Sequence, residues 1–409
     1  MKTSTIFSIF ASVFLSSISV VYAAEDVATA SNVTDAIISN AEADGIDLFA
    51  LDPAILNSAL SEISSVYGQV EETATTERRR RSLGHLMGRQ TPDRTDIIDV
   101  HTHAVPDWYK QMVPTTGGNP TPTWTIADHV TFMNNQGINK AIIAISAPGA
   151  SVYPGQKGLT VALARFLNEQ VAAYCRLHSG RLGFYAVVPL PYTQEAIAEA
   201  KYAIQNLGAV GVVLLSNHES YYLGHPSFKP FFQALNGLGG RQIVYVHPNT
   251  PYVKSGNNLI EANPTTYPTG NIEFYFETAR TLMDLTLTQT IHNFTNIHYV
   301  IPHVGGAFPA AIDRILKSVP AIYDSSLQIY STRFWWDSAG PTYYHQVAGL
   351  LGYGIPKSQL LFGTDFPYAP IFTQAGSLAA VKASTLFTAA EKTAIFKNNA
   401  ANLFGSKLP

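Results

Sequence analysis

The sequence predicts an α/β fold, a (β/α)8 TIM barrel, and three observations carry that reading. From Asp96 onward, short apolar runs alternate with amphipathic stretches of helical period, the pattern of parallel strands joined by helices. Eight such runs follow one another, which favours a closed barrel over an open doubly wound sheet. His101-Thr102-His103, His247, His303 and Asp365 each stand at or just past the end of one of these runs. Strand C-termini converge on one face of such a barrel, so groups far apart in sequence would meet there around one cation. Imidazole and carboxylate are the ligands of a zinc-like ion.

The first strand, Ile97-Ile98-Asp99-Val100, leads into His101 and His103. The His-x-His spacing puts both imidazoles on one face, because strand side chains alternate with period two. Ala141–Ile145, Leu182–Val188 and Val210–Leu215 are the next three strands. Gln242–His247 carries His247 at its end, and Ile297–Ile301 is followed by Pro302-His303. Arg333–Trp336 and Leu360–Phe362 complete the set, the last followed by Gly363-Thr364-Asp365. Helical patterns fill most intervals: Val161–Leu177, Gln194–Leu207, Phe228–Leu238, Phe274–Ile291 and Phe308–Leu316. No Gly-x-Gly-x-x-Gly follows a strand, which argues against a dinucleotide fold. Two loops after strands are long, Ala104 to Thr125 and Pro248 to Ile272, and loops of that length are often lids. Taken singly, each histidine is as well read as a satisfied structural residue, and Asp365 as a turn residue. Joint occurrence at four strand ends is what argues for a site. His129, His178, His218, His225, His292, His298 and His345 lack that coherence and read as surface or structural, though His218 lies just past the fourth strand.

Three regions divide the chain. Residues 1–23 read as a secretory signal peptide, with Lys2, an apolar run from Ile6 to Val21 and small residues at Val21-Tyr22-Ala23. Residues 24–89 read as an acidic pro-region that ends in a processing site, Arg78-Arg79-Arg80-Arg81. Its Ala- and Ser-rich composition suits a marginal helix or disorder. Residues 90–409 hold the catalytic barrel. Asn32-Val33-Thr34 and Asn293-Phe294-Thr295 are N-glycosylation sequons, which fits a secreted protein. Cys175 is the one cysteine, so the fold rests on its core and not on an internal disulfide. A net charge of −3 without a basic stripe excludes a nucleic-acid partner. After signal removal no stretch is long and apolar enough for a membrane span.

Five segments carry a family resemblance: Asp99-Val100-His101-Thr102-His103, Val246-His247-Pro248, Phe276-Glu277-Thr278-Ala279-Arg280, Pro302-His303-Val304-Gly305-Gly306 and Leu361-Phe362-Gly363-Thr364-Asp365-Phe366-Pro367. From about Thr95 to Gly405 the chain resembles amidohydrolase-superfamily barrels of the aminocarboxymuconate-semialdehyde decarboxylase type, most of all fungal 6-methylsalicylate decarboxylases. The first ninety or so residues lie outside the resemblance. By that resemblance His101, His103, His247 and Asp365 would bind one divalent metal, and His303 would be the catalytic acid/base, with Asp365 an alternative proton donor. The fourth strand has no lysine to become a carbamylated bridge, so one ion is expected. Zinc fits three imidazoles, and manganese is the alternative. The resemblance also suggests a homodimer.

The implied chemistry is non-oxidative decarboxylation of a hydroxylated aromatic or related unsaturated carboxylic acid, 6-methylsalicylate-like, with release of CO2. The same ligands would serve a secreted hydrolase of a lactone, ester or amide, in which the metal activates a water. A third reading is a binding protein on a barrel scaffold. Trp108, Trp124, Tyr153, Trp335 and Trp336 are candidate walls for an aromatic ring, and Arg280 and Arg333 candidate partners for a second carboxylate.

Overall fold

Eight parallel strands close on themselves. The structure, a computed structural model, describes residues 32–83, 96–256, 258–340, 343–368 and 371–409, with side chains for all of these except 77–83 and 371–375. The expected signal peptide lies outside the described residues. The strands are β1 (Ile97–Ala104), β2 (Ile138–Ile145), β3 (Leu182–Val187), β4 (Gly211–Leu215), β5 (Gln242–His247), β6 (Ile297–Ile301), β7 (Phe334–Asp337) and β8 (Leu360–Leu361). They neighbour one another in chain order, every pair parallel. Closure between β8 and β1 rests on Val100 N–H to the Phe362 carbonyl (3.0 Å), Asp365 N–H to the His101 carbonyl (2.9 Å) and His103 N–H to the Phe366 carbonyl (2.7 Å). The ring thus closes through the residues that carry the candidate ligands. Each expected strand is present, with ends shifted by up to four residues. β8 is the shortest because the chain after Phe362 leaves extended geometry to reach Asp365 at φ 65°.

Helices wrap the outside, two ahead of the first strand and the rest between or after the strands. They are α1 (Val33–Ala43), α2 (Pro53–Leu83), α3 (Asp107–Met112), α4 (Ile126–Gln136), α5 (Lys157–Leu177), α6 (Thr193–Gln205), α7 (Lys229–Asn236), α8 (Glu273–Leu287), α9 (Thr290–Asn293) and α10 (Phe308–Lys317), then α11 (Tyr323–Thr332), α12 (Tyr344–Gly352), α13 (Ile371–Ala383), α14 (Ala389–Thr393) and α15 (Asn399–Phe404). Local chemistry sets their ends. On α4, Thr125 caps the Asp128 N–H at 3.0 Å, and Gly137 takes the left-handed turn that stops it. Large apolar side chains fill the barrel wall, among them Phe166, Phe184, Tyr185, Tyr245 and Tyr299, all fully buried.

The acidic N-terminal segment takes the helical of the two forms its composition allows. Its buried residues recur at helical spacing: Val33, Ile37 and Ala41 on α1, then Leu56, Ala59, Ile63 and Val66 on α2. The α2 part of that stripe packs on α5, and α1 packs on α2. No helix among the described residues is long and apolar enough to cross a membrane.

Candidate metal centre

All five residues singled out by strand-end position come together at the C-terminal mouth of the barrel. His101 and His103 stand on β1, His247 ends β5, and His303 and Asp365 follow β6 and β8. The Asp365 Oδ1 lies 3.3 Å from His101 Nε2 and 3.2 Å from His103 Nε2, while Oδ2 lies 3.6 Å from His303 Nε2. His247 completes the group, its ring centre 4.9 Å from that of His103 and 5.8 Å from that of His101. Potential ligand atoms of His101, His103 and His247 lie within 4.8 Å of one another, as do those of His101, His303 and Asp365. The backbone is bent to achieve this: His303 (φ 53°), Val304 (φ 53°) and Asp365 (φ 65°) all sit in the left-handed region. For a β-branched valine that conformation is costly, and such strain clusters at functional sites. Gly363 has a simpler reason to be glycine, since a Cβ there would lie 2.7 Å from the His101 Cβ.

Second contacts fix which nitrogen faces inward. His101 Nδ1 bonds the Asp337 Oδ2 at 2.9 Å, and His247 Nδ1 bonds the Pro248 carbonyl at 2.7 Å. A carbonyl only accepts, so Nδ1 of His247 carries the proton and Nε2 presents a lone pair. When His101 is neutral, the Asp337 carboxylate imposes the same tautomer on it, and its buried Nε2 faces the Asp365 Oδ1 at 3.3 Å. These are the outer contacts that metal-binding imidazoles require. Asp337 does more than hold His101, because its Oδ1 also accepts the backbone N–H groups of His303 and Ala339, each at 3.0 Å. Asp99 ties the two ends of the ring, accepting from His101 N–H (3.1 Å), Thr364 N–H (3.2 Å) and Thr364 Oγ1 (2.6 Å). Sequence reasoning gave neither aspartate a role. The signal for Asp337 was its place just past the seventh strand.

The electrostatics call for positive charge. Burial alone would raise the Asp365 carboxyl, but the imidazoles of His101, His103 and His303 outweigh it and hold it well below the usual carboxylate range. Burial likewise works against charge on His101, yet Asp337 and then Asp365 raise it to about 10. His247 is pushed well below its ordinary value by burial and then by His103 and His101. A divalent ion fits the donor set as well as a proton on His101 does.

A cavity of about 530 Å³ opens over these residues, a volume ordinary for a small-molecule site. His103, His247, His303 and Asp365 form its floor, and Phe274, Tyr275 and Tyr368 supply aromatic faces. Both long loops roof it. The Gly270 N–H bonds the Gly117 carbonyl at 2.8 Å, and Asn119 Nδ2 bonds Asn271 Oδ1 at 3.2 Å. Gly117 (φ 56°) must be small, since a Cβ would lie 2.9 Å from the Gly270 backbone. Among the described residues the lining contains no Lys or Arg.

Other expectations about the pocket are corrected. None of Trp108, Trp124, Tyr153, Trp335 and Trp336 lines the cavity. Trp108, Trp124 and Trp335 are buried and spend their indole N–H groups on Gln170, His129 and His298. Arg280 pairs with Glu277 (2.9 Å) on α8, and Arg333 bonds the Phe294 and Ile297 carbonyls at the opposite end of the barrel. Neither lines the cavity. His218 packs against Phe228 and joins neither ligand group. Glu277, fully buried, braces the roof from behind: it accepts from Ser216 (3.1 Å), Asn217 (2.7 Å) and Tyr222 (2.6 Å).

Comparison with known proteins agrees with this architecture. A family model described as Amidohydrolase matches residues 98–406. A decarboxylase of Aspergillus niger is 32% identical over 296 residues, 68% of this chain and 79% of that protein. A 6-methylsalicylic acid decarboxylase of Penicillium expansum is 29% identical over 286 residues, 67% of this chain and 85% of that protein. The crystal structure of an amidohydrolase II superposes with a TM-score of 0.69 at 28% identity, covering 76% of this chain and 99% of that one.

Proposed function

This chain belongs to the amidohydrolase family, and from that premise we propose that it is a metal-dependent, non-oxidative decarboxylase of a hydroxylated aromatic carboxylic acid of the 6-methylsalicylate kind. One observation carries the reading: the cavity has an imidazole–carboxylate floor and no cationic side chain among its described lining residues. An aromatic carboxylate in that cavity can be neutralised only from the floor. His101, His103, His247 and Asp365 would hold one divalent ion, which would supply Lewis-acid charge and a template for the carboxylate and a neighbouring hydroxyl oxygen. Three imidazoles and one carboxylate suit zinc, with manganese the alternative.

The chain's own groups then have defined work. Losing CO2 from an aromatic carbon leaves its electron pair in the ring plane, where nothing stabilises it. The carbon that bears the carboxylate must therefore gain a proton first. That carbon becomes tetrahedral, the C–C bond breaks, and its electrons restore the aromatic ring as CO2 leaves. His303 is the proton donor we favour. Its Nε2 is 3.6 Å from Asp365, its Nδ1 has no hydrogen-bond partner among the described residues, and its ring borders the cavity. Asp337 holds its backbone. Phe274 and Tyr275 supply apolar surface for the ring, and the roof of Gly117 and Gly270 limits water.

The metal-replete protein incubated with 6-methylsalicylate should release CO2 and the corresponding phenol in equal amounts. A ring-opened acid from a lactone, with no CO2 from any salicylate, would assign the site to hydrolysis instead. Secretion is also proposed. It is supported by the signal-like residues 1–23 and by the exposed sequon residue Asn293 at the end of α9. Recovering the glycosylated protein from culture medium tests this.

A further inference from the structure

We infer that residues 33–76 are a permanent clasp on the barrel, so that a chain cut within Arg78–Arg81 persists as a non-covalent pair of N-terminal segment and barrel. The inference is independent of the reaction proposed above.

It starts from α5. An outer barrel helix ordinarily turns one face to water. On α5 every residue from Thr160 to Tyr174 is buried, including Arg165, Asn168, Glu169 and Gln170. One side of the helix packs on β3, and the other is covered by α2 and the turn Leu48–Ala50. Apolar side chains make the contact from the N-terminal side, with Ile63 and Ala59 almost fully buried.

Polar contacts give it register. Arg165 Nη2 donates to Asp44 Oδ2 at 2.7 Å, and the Tyr174 hydroxyl donates to Glu62. The Arg176 guanidinium lies 5.4 Å from the ring centre of Tyr67. Charge is complementary: the segment from Glu25 to Glu77 has many acids and no Lys or Arg, and the face it covers presents Arg165 and Arg176.

The position of the basic run decides what a cut would do. The last buried residue of α2 with a described side chain is Tyr67, and residues 72–76 are all exposed. A cut within Arg78–Arg81 therefore severs none of the docking contacts described above. Release would instead expose the apolar face of α5 and strip Arg165 of Asp44.

The test replaces Arg78–Arg81 with the recognition site of a sequence-specific protease in the full chain. The purified protein is cut and followed by size exclusion with intact-mass detection. The fragment and the barrel should co-elute at the size of the uncut chain and part only in denaturant. An Asp44→Ala, Glu62→Gln variant should part at a lower denaturant concentration than the wild type, whereas Glu72→Ala, an exposed position, should match it. A fragment that elutes free in native buffer overturns the clasp. Identical release concentrations for all three proteins overturn the assigned polar contacts.

Discussion

Two clusters of buried charge can be compared in this molecule, and they are built on opposite plans. In the candidate metal centre, His101, His103, His303 and Asp365 crowd together, His101 Nε2, His103 Nδ1 and His303 Nδ1 have no hydrogen-bond partner among the described residues, and a cavity opens above them. Beneath the clasp, Arg165 lies between acids of two other elements, with Glu199 at 2.9 Å from its Nε and Asp44 at 2.7 Å from its Nη2, and it covers the Tyr202 ring at 3.6 Å. Asn168 adds a hydrogen bond to Glu199 at 2.7 Å. Buried polar groups normally find partners, so a cluster of lone pairs aimed at one point and open to a cavity marks a ligand site. A cluster of opposite charges bound to each other marks a structural joint. The difference lies in what the charges face, not in how many there are.

The largest expected effect breaks the first cluster. Asp365→Ala should lose most of the bound ion, counted by elemental analysis, and with it all detectable decarboxylation. Two ions per wild-type chain would overturn the single-site reading. Next, His303→Asn should keep its metal but lower kcat by ~10²-fold or more, the range for a lost general acid. Substrate affinity should change less. A variant with full metal and near wild-type kcat would pass the proton-donor role to Asp365.

The second cluster answers to stability rather than turnover. Arg165→Met leaves Glu199 buried beside no cation, a change that costs roughly 3–5 kcal/mol. Tm should fall by several degrees while kcat per folded molecule holds. An unchanged Tm with an altered kcat would erase the contrast between the clusters.

The smallest effect is a pH dependence in the same joint. Burial pushes the Glu169 carboxyl up from 4.5 to about 7, only partly offset by the hydrogen bond from Tyr202 and by the charge of Arg165. Between those values the folded chain keeps a proton that the unfolded chain has released. Stability therefore falls as pH rises through that window and levels off above it. Glu169→Gln cannot ionise. Relative to it, the wild type should lose ~1–3 kcal/mol between pH 4.5 and 8, read from denaturant midpoints at both pH values. A parallel pH course in the two proteins would show that Glu169 titrates normally.

Much of this was legible in the sequence, for reasons of period and position. Apolar runs located the eight strands within four residues, since a strand buried on both faces admits little but apolar side chains. Strand-end position then identified His101, His103, His247, His303 and Asp365, because a barrel's topology gathers strand ends whatever the intervening chain does. The roof loops were visible as two long Pro- and Gly-rich segments. Tertiary structure alone decided the rest. Asp337 became the residue that links His101 to the His303 backbone only when β7 lay beside β6. Phe274 and Tyr275 displaced the tryptophans as cavity walls because the roof loop folds back over the mouth and brings the start of α8 with it. The acidic leader became a clasp because Arg165 and Tyr174 sit where its acids can reach them. Period and strand order are properties of a chain's own succession of residues. Contacts between side chains hundreds of positions apart depend on how the elements pack, and that is settled only when the barrel closes.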